Sequence, residues 1–270
     1  MSEKTSDRHT FAVCAYKESP FLDSCLESLS NQTVKSRVIV CTSTPSDYIK
    51  NLATKYGYEY FVRDGRSDIK DDWNFAYNCA GTEYVTITHQ DDIYLPEYCE
   101  QMLRLTDESE KAGMPVTIYF TDYKACKNGI PLRDRNSSIR RILRWRLRVP
   151  KWSCNSYIKR RTFSLGNVVC CPTVTYHKKL LGDSVFTSDY KFNIDWDTFR
   201  LLSYKDGRFL CNETPLLYYR IHPGATSAEF IRSNERFDED LVMFCKFWPK
   251  SVARFIMCFY PAAYKTYGKL

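Results

Sequence analysis

Three groups of residues in this chain have the types and spacing to do chemistry. The first is the adjacent pair Asp91 and Asp92, which closes the stretch Glu83-Tyr-Val-Thr-Ile-Thr-His-Gln-Asp-Asp92. Two hard oxygen donors just past a strand lie where open α/β sheets bind ligands, and they suit Mg²⁺ or Mn²⁺ shared with phosphates. The same pair also reads as a solvated turn capped by its own side chain. The second group is Asp195 and Asp197. Two apart on a helix, they cannot share a face, so only one can point into a site. A carboxylate within hydrogen-bond reach of a hydroxyl is a general base, whereas one at a helix start also simply favours the dipole. The third is Arg220 with His222, a phosphate partner and a metal ligand, or equally a surface ion pair and a packed histidine. His9 and His177 carry no signal.

These groups need strands and helices to place them. Tyr84, Thr86 and Thr88 alternate with Val85 and Ile87, which suits a buried strand, and Pro96 and Glu97 then open a helix to about Ala112. Upstream, strands are predicted over 11–15, 37–41 and 58–62, with helices from Phe21, over 47–56 and over 68–80. Downstream, strands are predicted over 116–121, 167–176, 208–211 and 216–220, a helix over 192–202, and helix again from Glu229. The alternation argues for an α/β fold with a mixed, mainly parallel sheet covered on both faces.

At 270 residues the chain can build one large domain. Its 12 cysteines show no C-x-x-C pair and no zinc spacing, and Met1 to Thr10 is polar. The expectation is therefore reduced thiols in a cytoplasmic protein, with no apolar stretch long enough to span a bilayer. The net charge of +7 points to an anionic partner. The aromatic fraction of 15% fits either a surface that grips bases and sugars or an aromatic-rich core. Between 133 and 161 Asp134 is the only acid, and the centre reads Arg140-Arg-Ile-Leu-Arg-Trp-Arg-Leu-Arg-Val-Pro-Lys-Trp152. This stretch reads as an amphipathic helix on anionic lipid, as a clamp for a lipid-diphosphate acceptor, or as a solvated basic loop. The aromatic, basic stretch 244–270 agrees with a peripheral site on the inner face of the cell membrane. Nothing resembles a nucleic-acid-reading module.

In this order the motifs resemble family 2 glycosyltransferases with the GT-A fold, over roughly Thr10 to Ser227. Phe11-Ala-Val-Cys-Ala-Tyr-Lys-Glu-Ser-Pro20 looks like the family's opening strand and substrate loop. His89-Gln90-Asp91-Asp92 stands at its D-x-D-type metal motif, Ile194-Asp-Trp-Asp197 at the acid pair that supplies the base, and Tyr219-Arg-Ile-His222 at the Tyr-Arg-x-His ending. The resemblance implies a nucleotide-diphosphate sugar held by Ala15, Tyr16, Glu18, Thr42, Ser43, Asn74, Gln90, Asp91 and Arg220. It further implies Mn²⁺ or Mg²⁺ on Asp91, Asp92 and His222, and Asp195 as the base. Two departures stand out: His89 replaces the first acid of the metal motif, and Cys41-Thr-Ser-Thr44 lacks the acid that usually grips the base or ribose.

The implied layout is a polar tail over 1–9 and a GT-A domain over 10–228. The domain splits into a nucleotide-sugar half (10–125) and an acceptor half (126–228), and a helical basic-aromatic segment follows over 229–270. The implied reaction is metal-dependent, inverting transfer from a UDP-sugar to a glycan or lipid-linked acceptor in bacterial surface polysaccharide synthesis. Gln-x-x-Arg-Trp is absent around 195–204, so one sugar per encounter is expected. The rivals are a sugar nucleotidyltransferase, disfavoured because Cys14–Pro20 has no glycine, and a non-catalytic membrane- or glycan-binding protein.

Overall fold

The computed structural model describes residues 4–127, 129–132, 134–222, 224 and 235–260. It opens with three strands and two helices in alternation: β1 (Lys4–Ala15), α1 (Leu22–Ser30), β2 (Val34–Thr42), α2 (Asp47–Lys55) and β3 (Glu59–Val62). Then come α3 (Ile69–Cys79), β4 (Tyr84–His89), the two-residue β5 (Ile93–Tyr94), α4 (Tyr98–Lys111), β6 (Val116–Lys127) and β7 (Ile130–Pro131). The basic stretch forms α5 (Arg135–Leu143), a 3₁₀ turn (Trp145–Arg148), α6 (Pro150–Cys154) and α7 (Ser156–Thr162). The remainder is β8 (Val174–His177), α8 (Lys178–Leu181), α9 (Ile194–Leu202), β9 (Arg208–Arg220), α10 (Glu235–Cys245) and α11 (Lys250–Met257).

The strands form one sheet in the order β3-β2-β1-β4-β8-β6-β9-β5, with β7 on β6. Neighbours from β3 to β4 pair in parallel, and so do β6 and β9. β8 runs against both of its neighbours, so β4 and β6 still point the same way. The carboxyl ends of β1, β2, β4, β6 and β9 therefore gather along one edge, the edge on which α/β sheets bind ligands.

Strand periodicity sorts the core into two layers. Phe11 and Val13 face one side with Leu22 and Leu26 of α1, Ile49 of α2 and Tyr98 of α4. Ala12 faces the other with Ala76 and Tyr77 of α3, Trp196 and Phe199 of α9, and Phe244 of α10. Both faces are covered, so the central strands are buried on both sides, and their polar side chains such as His9, Thr86 and Thr175 are hydrogen-bonded within the sheet.

Several boundaries differ from the sequence expectations. Residues 4–9 are strand rather than tail: Lys4 to Ser6 pair with Val34 to Ser36, and the buried His9 contacts Ser36 and Thr86 through its two ring nitrogens. Burial lowers the pKa of His9 to about 3, so it is a neutral packing group. Pro96 precedes the helix, which starts at Tyr98. The stretch 167–176 reads as a strand from its apolar run, but only Val174 to His177 pairs, because a 3₁₀ turn at Cys171–Thr173 interrupts it. Conversely 208–220 is one strand, with register shifts accommodating the polar residues between its apolar ends. The basic stretch is a run of short helices, and the expected helix at 229–234 lies outside the described residues. All twelve cysteines are unpaired; Cys245 and Cys258 are exposed.

Candidate active site

Three loops meet at the carboxyl edge. The loop after β1 is tied to its neighbours on both sides. The Tyr16 backbone N–H donates to Gln90 Oε1 at 2.9 Å, and Gln90 Nε2 donates back to the Tyr16 carbonyl at 3.0 Å. The Lys17 N–H donates to Thr44 Oγ1 at 2.7 Å. Lys17 has φ +52°, a left-handed conformation uncommon for a residue with a side chain, and these bonds hold it there. Ser19 Oγ donates to Asp91 Oδ1 at 3.2 Å. Gln90 thus has a visible role in shaping the loop, Tyr16 and Glu18 are exposed on it, and Ala15 is buried beneath it.

Asp91 and His222 meet as the sequence motifs require. His222 Nε2 lies 3.2 Å from Asp91 Oδ2, with no hydrogen bond to it or to any other described residue. Adjacent ligands on an octahedral cation, each at about 2.1 Å, are about 3 Å apart. A bare imidazole nitrogen facing a carboxylate oxygen at that separation suits a divalent ion between them. Arg220 lies alongside. Its guanidinium donates to the Asp91 carbonyl at 3.0 Å and to Ser24 Oγ at 2.9 Å, and it lies over the Phe21 ring. Among the described residues it meets no carboxylate within ion-pair distance, so its charge is left for a ligand.

Two expected ligands are placed differently. Asp92 is 1% exposed and accepts the Arg220 backbone N–H at 3.0 Å on Oδ1. Burial pushes its pKa well above the usual carboxylate range, and the N–H only partly offsets this. Its visible work is to lock β9 against the metal motif, which orients Arg220, rather than to stand beside Asp91 as a ligand. Asn74 exchanges both ends of its amide with the Phe186 backbone, at 2.7 and 3.1 Å, so its polar atoms hold the 183–193 loop. His89, at the altered motif position, is stacked on Trp73, and burial lowers its pKa to about 4.

An acid from another element stands beside the loop after β2, which has none of its own. Asp72 of α3 accepts Ser43 Oγ at 2.9 Å and Arg63 Nε at 2.7 Å. Thr42 Oγ1 sits 3.3 Å from Thr44 Oγ1. Only the fold reveals this, because Asp72 is 29 residues from Ser43 and is brought in by packing of α3 on β1 and β2.

The two acids of α9 divide cleanly. Asp197 is buried and paired with Arg200 at 2.6 Å and Lys246 at 3.5 Å. Asp195 is only partly covered, accepting from Asn167 Nδ2 at 2.7 Å and from the Trp196 N–H at 2.7 Å. Although the residue keeps some exposure, the enclosure of its carboxyl group raises its pKa to about 6, against the opposing pull of the Trp196 N–H, Arg140 and Asn167.

The helix that carries Asp195 is held from α10. Glu239 accepts the backbone N–H groups of Lys191, Phe192 and Asn193 at 2.8, 2.9 and 3.0 Å. Asp240 accepts Asn193 Nδ2 at 2.8 Å. Trp196 is buried against Phe244 and donates its indole N–H to the Phe163 carbonyl. Glu239, Asn167 and Asp72 went unmarked in the sequence because their partners are backbone groups or distant residues.

A second His-carboxylate group lies at the opposite end of β4. Glu83, Glu110 and His177 have ligand atoms within 4.8 Å of one another. Arg8 already fills this place, bonding Glu83 at 2.8 Å and Asp107 at 2.7 Å.

Comparisons with known proteins agree with this geometry. A family model described as glycosyl transferase family 2 matches residues 10–175. EpsH of Bacillus subtilis (strain 168), assigned as a glycosyltransferase, is 23% identical over 261 residues, covering 84% of this chain and 70% of that protein. Among solved structures, TarS 1–349 of S. aureus superposes at TM-score 0.59 with 16% identity, covering 96% of this chain and 72% of that one. A mannosyltransferase of Pyrobaculum calidifontis, PcManGT, superposes at 0.56 with 15% identity, covering 97% and 73%. The chain spans 37% of a longer TarS structure. The sheet and its helices are those of the GT-A fold. No helix among the described residues is long and apolar enough to cross a membrane.

Proposed function

This chain belongs to glycosyl transferase family 2 and is a glycosyltransferase, and we propose that it moves a sugar from a UDP-sugar to a hydroxyl of a glycan or lipid-linked acceptor, with inversion. The observation that carries the reading is the meeting of Asp91, His222 and Arg220 at the ends of β4 and β9. TarS has been solved with UDP and with UDP-GlcNAc, and PcManGT with GDP-Man and Mn²⁺, which supports a nucleotide-sugar donor and a divalent ion. The role proposed for it is in bacterial surface polysaccharide synthesis; EpsH and TarS being bacterial proteins supports only the bacterial part of that reading.

Asp91 and His222 would hold Mn²⁺ or Mg²⁺, with Asp92 fixing the backbone behind them. Such an ion neutralises the charge that grows on a diphosphate leaving group. Arg220 adds a second positive charge on the same side. The Thr42–Thr44 loop and Asp72 would receive the nucleoside, and the strapped Tyr16–Ser19 loop would close over it. Asp195, ionised above about pH 6, takes the proton from the acceptor hydroxyl. The new oxygen–carbon bond forms at the anomeric carbon as the bond to the diphosphate breaks, and a single base with in-line attack inverts that centre. Asp197 is spent on its two cations and takes no part.

The test is UDP release from a panel of UDP-sugars with Mn²⁺, with and without glycan acceptors. Acceptor-stimulated release supports the reading. Nucleotide binding without turnover on any donor would favour the non-catalytic alternative.

A further inference from the structure

We infer that the face formed by the 3₁₀ turn, α6, α7 and α11 docks on an anionic phospholipid surface. The segment is firmly built. Asp122, fully buried on β6, is paired with Arg144 at 2.8 Å and with Arg141, while Arg148 pairs with Glu213. Lys159 is buried and donates to the carbonyls of Lys205 and Gly207. Leu147 sits in the core. These contacts use up one set of cations and fix the backbone, so the side chains that remain outside are presented on a rigid support.

What remains outside is aromatic and basic together. Trp145 and Trp152 are 45% and 39% exposed and touch ring to ring at 5.3 Å. Tyr157 is 64% exposed. Arg146, Trp152, Tyr157, Ile158 and Arg161 line a recess of about 360 Å³. Arg146 and Lys151 are exposed and make no ion pair among the described residues. α11 adjoins this segment, because Arg161 lies over Trp248 at 4.2 Å and Trp248 leads into α11. There Phe255 and Phe259 are 65% and 66% exposed and contact each other at 5.3 Å. No acid occurs from Lys246 to Tyr260.

A rigid patch of indole and phenyl rings among unpaired cations matches the headgroup zone of a bilayer on both counts. Rings of this kind sit at the polar–apolar boundary, and the cations meet the anionic headgroups. A soluble polyanion would satisfy the cations but leave the exposed phenylalanines in water. The patch is also next to the proposed base: α7 leads into Asn167, which bonds Asp195. Docking would therefore bring a membrane-anchored acceptor towards Asp195. That last step rests on the proposed glycosyl transfer, whereas the docking does not.

The experiment is co-sedimentation of the full chain with vesicles of phosphatidylcholine alone and of phosphatidylcholine mixed with phosphatidylglycerol, with tryptophan emission read in parallel. Binding to the mixed vesicles with a blue-shifted emission is expected. The double substitution Arg146→Glu/Lys151→Glu should weaken binding at least about tenfold, and Trp145→Ala/Trp152→Ala should abolish the shift. UDP binding by each variant checks the fold and scores the donor site separately. Equal binding to both vesicle types, no binding to either, or variants that bind like the parent would overturn the inference. Capture by heparin with no capture by vesicles would do the same.

Discussion

The two ends of β4 carry nearly the same chemical groups and use them in opposite ways. At the amino end, His177 Nε2 faces Glu83 Oε1 at 3.4 Å; at the carboxyl end, His222 Nε2 faces Asp91 Oδ2 at 3.2 Å. Arg8 reaches into the first group, bonding Glu83 at 2.8 Å and lying 3.9 Å from Glu110, and it also bonds the neighbouring Asp107 at 2.7 Å. In the second, the nearby guanidinium of Arg220 turns to a backbone carbonyl and to Ser24, and leaves the carboxylate to His222 and Ser19. One cluster is closed by the protein's own cation and holds the sheet together. In the other, no guanidinium of the protein bonds the Asp91 carboxylate among the described residues, which is the basis for proposing a cation there. A histidine beside carboxylates is therefore not informative until the neighbouring arginines are placed.

This contrast can be broken or sharpened by substitution. The largest effect belongs to the base: Asp195→Asn should lower kcat by about 10²–10⁴-fold while donor binding persists, and Asp197→Asn should fall well short of that in the same turnover assay. Next comes the support of α9. Glu239→Ala removes acceptors from three backbone N–H groups, so kcat should drop by roughly tenfold, equivalent to about 1.4 kcal/mol, with the Kd for UDP unchanged. A loss of UDP affinity instead would mean Glu239 supports the donor half.

The pH profile gives a finer test. Asp195 must be ionised to act, so kcat/KM should fall as pH drops through about 6. Asn167 donates to the charged form, so Asn167→Ala should move the acid limb to higher pH. A limb that stays put would remove Asn167 from the account. The smallest effect is the control at the other end of β4. Arg8→Ala should cost about 1–2 kcal/mol in denaturant unfolding, since its guanidinium is one-third exposed. It should leave Mn²⁺-dependent UDP binding as it was.

The sequence foretold the first half of the fold better than the second, for physical reasons. From Phe11 to Ile118, strands and helices alternate and each has one clear period. Beyond Tyr123 the pattern is carried by tertiary contacts: Cys170 to Thr173 is as apolar as a strand but turns, and 208–220 stays a strand through Asn212-Glu-Thr-Pro215 because β6 pairs with it. At the candidate site, Asp91, Arg220 and His222 could be picked out from the sequence because local motifs carry them, and the fold sets them side by side. Asp195 was preferred over Asp197 by its match to the motif, and the ion pairs of Asp197 with Arg200 and Lys246 support that preference. Asp72 and Glu239 were not legible, since each acts on residues far away in the chain.

The most direct measurement is calorimetric titration of UDP, with and without Mn²⁺, into the parent protein and Asp91→Ala. Tight binding that requires Mn²⁺ and weakens at least about tenfold in the variant, some 1.4 kcal/mol, is the predicted result. UDP binding that ignores Mn²⁺, or that survives Asp91→Ala intact, would contradict the assignment of the carboxyl end of β4 as the cation and donor site.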